Sequence, residues 1–462
     1  MGSERRSSPR INVHIPVFLR SSERLGHREC VGGEIINLSS QGICIVGPVL
    51  PNLQAPAGTL LLTIKRRKGQ LDLAAKLVWT QRETKTTRLW YGLSCLDKPS
   101  LSILRKMLST QEDFLRTLAP HNRESDDTDL EKVDDVVDTF FTRDVRQYLE
   151  KLFWVESKLD REKGLKHRLF RSVERLSDGI VKRGDHLQCL VNDKPFAKAI
   201  KACFRKVAGE WVYQSEIMER GFKKPRGYPG DYYMLELIYE NRVRSPGIGA
   251  YFDQYFLNNA YAAAVRNRKD MMHEMLSRLL EEKRGPVRIL NLACGSCREI
   301  RELLPSLTPL GGRVITFTCL DNDGEALEFA ESKIRQIAPD KVKFRFVRED
   351  TLSFLRLPVR CNPLGTHDVI YSIGLIDYLP DRILKSFLRF SYGLLEKGGV
   401  LILTHKDKER YRPLPADWFC DWSFVSRSEQ KVIQLVREAI GGKEILIERE
   451  QTGCIFFLTI RS

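Results

Sequence analysis

After Gly285-Pro286 the sequence changes rhythm. VRILNLA, VITFTCLD, KFRFVRED, HDVIYSIG, GGVLILTH and ILIERE are short, apolar, β-branched runs separated by segments of helical length. Runs that are apolar on both alternating faces must be covered from both sides, and the intervening helices supply that cover, so the C-terminal part is expected to form a doubly wound α/β sheet.

The N-terminal part reads differently. From Ile11 to about Leu96, INVHIPVFLR, GGEIINLSS, GICIVGP, GTLLLTIKRR, LDLAAKLVWT and LWYGLSCL are strand-like runs broken by turns, with no helical period between them. Strands at this spacing predict a small antiparallel barrel. A helix over 98–118 closes this first domain, 1–118. The acidic, polar stretch HNRESDDTDLEKVDD belongs to a linker, 119–140. A helical region follows over 141–284, interrupted at KKPRGYPGD and RSPGIG, and the α/β domain occupies 285–462.

The chain has 462 residues and a formal charge of +15. Residues 1–118 hold 18 Lys and Arg against 9 Asp and Glu, a local balance of 18 − 9 = +9. Such a surface attracts anions: nucleic acid, an acidic membrane face or a phosphorylated ligand. No run approaches the ~18–20 apolar residues of a membrane span, and MGSERRSSPR has no apolar signal-peptide core, so a cytoplasmic protein is expected. Met1-Gly2 would suit lipidation, but Arg6 stands where that signal wants Ser or Thr.

The eleven cysteines are scattered and suit reduced, buried thiols. Cys294-Gly-Ser-Cys297 is their one close pair. A redox reading lacks the small domain that such a pair fronts, and a zinc reading lacks a second pair of soft ligands, so no metal is expected. The third reading is a strand entering a tight turn and a helix, in which Ala293, Gly295 and Ser296 let a ligand approach the backbone. Asp321 ends the next strand, 26 residues after Gly295, where it can take both hydroxyls of a ribose. Glu349-Asp350 follows the third strand, and Ser372-Ile373-Gly374 ends the fourth, with Asp377-Tyr378 close behind.

This order resembles the class I S-adenosylmethionine-dependent methyltransferases over about residues 285–462, with EILIERE and CIFFLTIR as the closing hairpin. Cys297 stands where many members carry a second glycine, and Asn291 replaces the usual acid. The resemblance implies a donor site formed by Asn291, Ala293, Gly295, Ser296, Asp321, Asn322, Asp350, Ser372 and Gly374. KKPRGYPGDYYMLELIY, NLACGSCRE, IYSIGLIDYLPD and DWSFVSRSEQ together look like the bacterial methyltransferases of extracellular factor (3-hydroxypalmitic acid methyl ester) biosynthesis. That kinship implies methyl transfer to a carboxylate or similar oxygen of a hydroxylated acyl chain.

The segment Arg226-Gly-Tyr-Pro-Gly-Asp231 concentrates charge and aromatic rings on a turn, as a lid would. Arg226 or Tyr228 is expected to meet a carboxylate of donor or acceptor; the alternative is that Arg226 and Asp231 pair and brace the turn. Tyr228, Asp377, Tyr378 and His405 are the polar candidates on the acceptor side, with His405 the natural base if the acceptor were a hydroxyl.

Arg6-Ser-Ser-Pro-Arg10 precedes the first strand, and Asn37-Leu-Ser-Ser-Gln-Gly42 follows about 30 residues later. Two arginines at this spacing offer forked donors to phosphates and can pair with guanine. The combination resembles PilZ domains, which implies cyclic di-GMP bound through Arg5, Arg6, Arg10, Asn37, Ser39 and Gly42. Joined to a catalytic domain, it suggests control through the linker. Two other functions stay open. One is an RNA or protein methyltransferase, although neither an N-P-P-Y-like motif nor a Pro-Cys motif is present. The other is a non-catalytic cyclic di-GMP effector that binds a protein partner. The acceptor, the direction of regulation and the oligomeric state are not encoded in any motif.

Overall fold

The computed structural model describes residues 11–21, 31–38, 42–48, 59–66, 69–82, 88–95, 136, 137, 139–159, 167–307, 313–356 and 364–462. The expected closing helix over 98–118 lies outside these residues, as do Arg5, Arg6, Arg10, Ser39 and most of the linker. The chain divides into two compact units, residues 1–215 with 245–252, and residues 216–244 with 253–462.

In the first unit, strands β1 (Ile11–Ser21), β2 (Val31–Leu38), β3 (Gly42–Pro48), β4 (Thr59–Arg66), β5 (Gly69–Arg82) and β6 (Arg88–Cys95) close a barrel in the order β1-β2-β3-β6-β5-β4. Every pairing is antiparallel. Alternation builds it: Leu73, Ala75 and Leu77 are buried while Val78 is exposed, and Val17, Ile35, Ile45, Leu62 and Tyr91 fill the interior. The register between β2 and β3 shifts between Ile35 and Asn37, an irregularity of the kind that re-aims side chains beside binding sites. A π-helical turn Phe140–Val145 leads into α1 (Arg146–Leu159), followed by α2 (His167–Val191) and α3 (Lys194–Val212). Residues 136, 137 and 139 are already helical, inside the stretch expected to be linker.

The second unit contains α4 (Glu216–Lys223), α5 (Tyr232–Glu240) and α7 (Ala260–Glu282), while α6 (Gly247–Asn258) contributes residues to both units. Then follow β7 (Val287–Leu292), α8 (Arg298–Leu303), β8 (Ile315–Asp321), α9 (Gly324–Ile334), β9 (Val342–Arg348) and α10 (Ser353–Arg356). The remainder is β10 (His367–Ser372), α11 (Asp381–Gly393), β11 (Leu395–Lys406), α12 (Leu414–Cys420), α13 (Glu429–Ile440), β12 (Ile445–Arg449) and β13 (Ile455–Arg461).

The sheet order is β12-β13-β11-β10-β7-β8-β9, parallel except for β13, which is antiparallel to both neighbours. This is a Rossmann-like order with a closing hairpin, the doubly wound sheet expected from the sequence. One core face joins Met272, Met275 and Leu276 of α7 to Ile289, Ile300 and Phe317; the other joins Phe387 and Leu388 of α11 and Leu435 of α13 to Leu290, Ile370 and Leu401. The expected boundary at 285 is therefore moved. The change of period there marks the end of a helix, whereas α7 packs on the sheet and shares its core.

The chain winds outward from β7 through β8 to β9 on one side, and through β10 to β11 on the other. The switch point between β7 and β10 opens a crevice at the strand C-termini, where ligands bind in such sheets.

Candidate active site

A cavity of about 260 Å³ occupies that crevice. One end is formed by the turns after β7, β8 and β9. Ala293 and Gly295 take left-handed backbone conformations, φ 57° and 51°, which fold the chain sharply over the end of β7. A side chain at Gly295 would meet only Tyr232 Cβ, at 4.0 Å, so its absence leaves the backbone bare toward the cavity. Asp321 ends β8, 5 % exposed, with Oδ2 accepting from Gly295 N–H at 2.8 Å and Oδ1 from Asp323 N–H at 2.9 Å. Burial raises its carboxyl above the usual range. Asn322, Asp350, Thr351 and Leu352 complete this end.

The other end is built from side chains that arrive from distant parts of the chain. Tyr261 and Arg268 project from α7, Asp377 and Tyr378 follow β10, Lys406 ends β11, and Trp422 follows α12. Asp377 is buried; its Oδ1 accepts the Lys406 N–H at 3.0 Å and its Oδ2 accepts from Lys406 Nζ at 3.0 Å. Burial works against the Asp377 charge, but Lys406, His405 and Arg268 outweigh it and hold the carboxyl below the usual range. Lys406 Nζ also lies 3.4 Å from the Phe424 ring centroid and 4.8 Å from that of Tyr261, the geometry of a cation against π faces. Burial lowers its ammonium to about 8. Tyr378 accepts from Trp422 Nε1–H at 2.9 Å, and burial followed by the Asp377 charge keeps its phenol protonated.

The loop 224–231 covers the cavity from one side. Tyr228 and Gly230 line it, and a Cβ at Gly230 would stand 3.0 Å from Trp422 and 3.1 Å from the Tyr378 hydroxyl. Burial and the neighbouring carboxylates Asp321 and Asp323 keep the Tyr228 phenol protonated. The loop is held at both ends. Arg226 Nε donates to Asp323 Oδ2 at 2.8 Å and its Nη1 to Glu325 Oε1 at 2.6 Å. Asp231 accepts from Arg220 at 2.9 and 2.8 Å and caps α5 through Met234 N–H.

Of the residues read from the sequence, Tyr228, Ala293, Gly295, Asp321, Asn322, Asp350, Gly374, Asp377 and Tyr378 line the cavity. Five others take different places. Arg226 clips the loop to the turn after β8 rather than meeting a ligand carboxylate, and its partners are Asp323 and Glu325, not Asp231. His405 is 1 % exposed, with Nδ1 2.5 Å from the Lys406 carbonyl and Nε2 3.2 Å from Arg427 Nη1. Successive residues of a strand face opposite ways, so Lys406 takes the cavity face and His405 the far one. Asn291 donates to Glu299 at 2.9 Å, Ser296 to Glu236 at 2.6 Å and Ser372 to the Leu292 carbonyl at 2.7 Å; all three brace strand ends beneath the turn.

Cys294 and Cys297 are free, buried thiols in the core beside Cys319. Among the described residues no group of three or more His, Cys, Asp or Glu could hold a metal ion.

Tyr261, Arg268, Lys406 and Trp422 were not singled out in the sequence. One signal existed for Arg268. Tyr261, Val265, Arg268, Met272 and Leu276 fall on one stripe of α7, and all five are buried, so an arginine on an apolar face was the anomaly. In the barrel, β2 pairs Asn37 with Asn12 and Cys44, and Gly42 opens β3 opposite Ser94.

Residues 4–109 match the PilZ domain. No curated protein matches the sequence. Among solved structures, the chain is similar to a possible exported protein from Bordetella parapertussis, at 16 % identity and TM-score 0.39, over 71 % of this chain and 96 % of that one. It is similar to magnesium protoporphyrin IX methyltransferase from Synechocystis at 13 % identity and TM-score 0.32, over 44 % of this chain and 85 % of that one. The N-methyltransferase NodS from Bradyrhizobium japonicum matches at 17 % identity and TM-score 0.30, over 42 % of this chain and 96 % of that one. Likenesses this distant assign no activity, and the sheet order stands on the strand pairing itself. Among the described residues no helix is long and apolar enough to cross a membrane.

Proposed function

We propose that the protein is a cyclic di-GMP-responsive, S-adenosylmethionine-dependent methyltransferase that O-methylates the carboxylate of a hydroxylated acyl chain in the cytoplasm. The observation that carries this reading is the cavity at the switch point, with a bare glycine turn and an amide-held carboxylate at one end and a charged, aromatic chamber at the other.

The donor end fits S-adenosylmethionine. Asp321, already oriented by two backbone amides, presents its remaining lone pairs to the ribose hydroxyls, and Asp350 can accept from the adenine amino group beside the apolar side chain of Leu352. S-adenosylmethionine supplies the methyl group on a sulfonium. The protein's part is alignment and exclusion of water: the tethered loop 224–231, Trp422 and Tyr378 enclose the space where acceptor oxygen and methyl carbon must meet in line. A carboxylate acceptor is ionised at pH 7, so one C–O bond forms, one S–C bond breaks, and no proton moves. This agrees with a chamber in which Tyr228 and Tyr378 stay protonated and His405 faces away.

The PilZ match supports cyclic di-GMP as the regulatory ligand, with Arg5, Arg6, Arg10, Asn37, Ser39 and Gly42 as its contacts. Control requires that cyclic di-GMP bind two states of the protein with different affinity. The test is transfer of labelled methyl from S-adenosylmethionine to 3-hydroxypalmitate, to RNA and to protein, with and without cyclic di-GMP. The reading predicts label in the fatty acid ester and a rate that changes with cyclic di-GMP. Label in RNA or protein alone, or an unchanged rate at saturation, contradicts the corresponding part.

A further inference from the structure

Two cations are buried at the acceptor end. Arg268 is 3 % exposed and Lys406 7 % exposed, and both line the cavity. Among the described residues Asp377 is the one carboxylate lining that end, and each of its oxygens is already engaged by Lys406. Arg268 hydrogen-bonds Tyr239 and feels the Asp377 charge, but its Nε, fully enclosed, has no hydrogen-bond partner. Glu299 lies within electrostatic reach of Arg268, yet it is committed to Asn291 and Tyr371, and burial pushes its carboxyl up to about 7. The phenols of Tyr261 and Tyr378 are held protonated by burial and supply no negative charge.

The chamber thus holds more buried positive charge than negative, together with an unused donor on a planar fork. The excess of positive charge is costly in a dry, aromatic surrounding and is relieved by one incoming anion. A Cβ at Gly374 would stand 3.0 Å from the Arg268 guanidinium, so the glycine, at φ 135°, leaves that face of the fork uncovered.

We propose that Arg268 and Lys406 form a carboxylate subsite that selects the acid form of the acceptor, with the rings of Tyr261 and Trp422 lying along the adjoining apolar chain. The proposal rests on the methyltransferase reading and deepens it. Arg268 offers its fork to the carboxylate, and Lys406, oriented by Asp377, adds the second positive charge. Esterification removes the charge that the pair holds, so the product is bound more weakly than the substrate and leaves.

Asp377, Arg268, Tyr261 and Tyr378 face Lys406, His405 acts on it electrostatically from outside the cavity, and of the chamber's cations Lys406 is the one that titrates near neutrality. Its lowered ammonium gives the subsite a pH dependence. The sign follows directly: below about 8 Lys406 is charged and the acid is held, and above it the charge and the preference fade.

The test is calorimetric titration of the full-length protein, saturated with S-adenosylhomocysteine, with 3-hydroxydecanoate and separately with its methyl ester. The acid is expected to bind at least roughly tenfold more tightly than the ester. Arg268→Gln is expected to remove that preference while leaving S-adenosylhomocysteine affinity within about twofold, and Arg268→Lys to restore part of it. Lys406→Arg is expected to carry the acid preference to higher pH, which a merely structural lysine would not do. Equal binding of acid and ester by the unaltered protein overturns the proposal. So does an Arg268→Gln variant that loses S-adenosylhomocysteine affinity and keeps the acid, since Arg268 would then serve the donor's carboxylate. Failure of the unaltered protein to bind S-adenosylhomocysteine sinks the methyltransferase reading itself.

Discussion

The two ends of the cavity are made in different ways. The donor end is mostly backbone: left-handed turns at Ala293 and Gly295, amides aimed at Asp321, and acids that end β8 and follow β9. The acceptor end is side chain, gathered from α7, the loop after β10, the end of β11 and Trp422. A site made by strand ends follows from sheet topology, whereas one made by side chains depends on how helices pack over the sheet. Substitutions at the acceptor end should therefore cost stability as well as function, and those at the donor end mainly function.

The largest expected effect is at Asp377. Asp377→Asn leaves Lys406 buried without its carboxylate and is expected to destabilise the second unit by roughly 3 kcal/mol, measured by denaturant unfolding. Adding Lys406→Met should recover part of that loss. The pH dependence has a definite sign. Without its carboxylate Lys406 sheds its proton more readily still than in the parent, where it does so at about 8, so the loss is greatest at mildly acid pH, while Asp377 of the parent is ionised and Lys406 of the variant is charged, and shrinks as pH rises toward 8. An Asp377→Asn protein as stable as the parent at pH 6 would break the contrast.

Gly295→Val tests the donor end. A β-branched residue at φ 51° costs about 1–3 kcal/mol of backbone strain and fills the bare face of the turn. S-adenosylhomocysteine affinity should fall by at least tenfold, with a stability loss no larger than that of Asp377→Asn. A variant that melts early and still binds would assign the turn a structural role.

The smallest effect is expected for Arg226→Ala. Its side chain is partly exposed and ties the loop to Asp323 and Glu325, so its loss should loosen the cover and raise the donor KM by roughly two- to fivefold. Loss of turnover with unchanged KM would instead place Arg226 at the reaction.

Legibility in the sequence follows the same division. Alternating apolar runs and helical segments mark a doubly wound sheet, and a carboxylate at or just after the C-terminal end of such a strand lies at the mouth of the sheet, which is why Asp321 and Asp350 could be placed at the cavity. Asn291, Ser296 and Ser372 share that neighbourhood but turn inward, Asn291 and Ser296 to the buried carboxylates of Glu299 and Glu236 and Ser372 to the Leu292 carbonyl. His405 and Lys406 are adjacent, and only the register of β11 against β13 decides which reaches the cavity. Tyr261 and Trp422 sit 161 positions apart in sequence and meet at 5.3 Å between ring centroids, a proximity that no local pattern contains.

The most direct measurement is calorimetric titration of the full-length protein with S-adenosylmethionine, with Asp321→Ala as control and repeated at saturating cyclic di-GMP. The account predicts one donor per chain, an affinity reduced about 100-fold or more in Asp321→Ala through loss of the ribose hydrogen bonds, and a shift with cyclic di-GMP equal to the coupling between the sites. Absence of donor binding under both conditions would contradict it and leave the protein a cyclic di-GMP effector without catalysis.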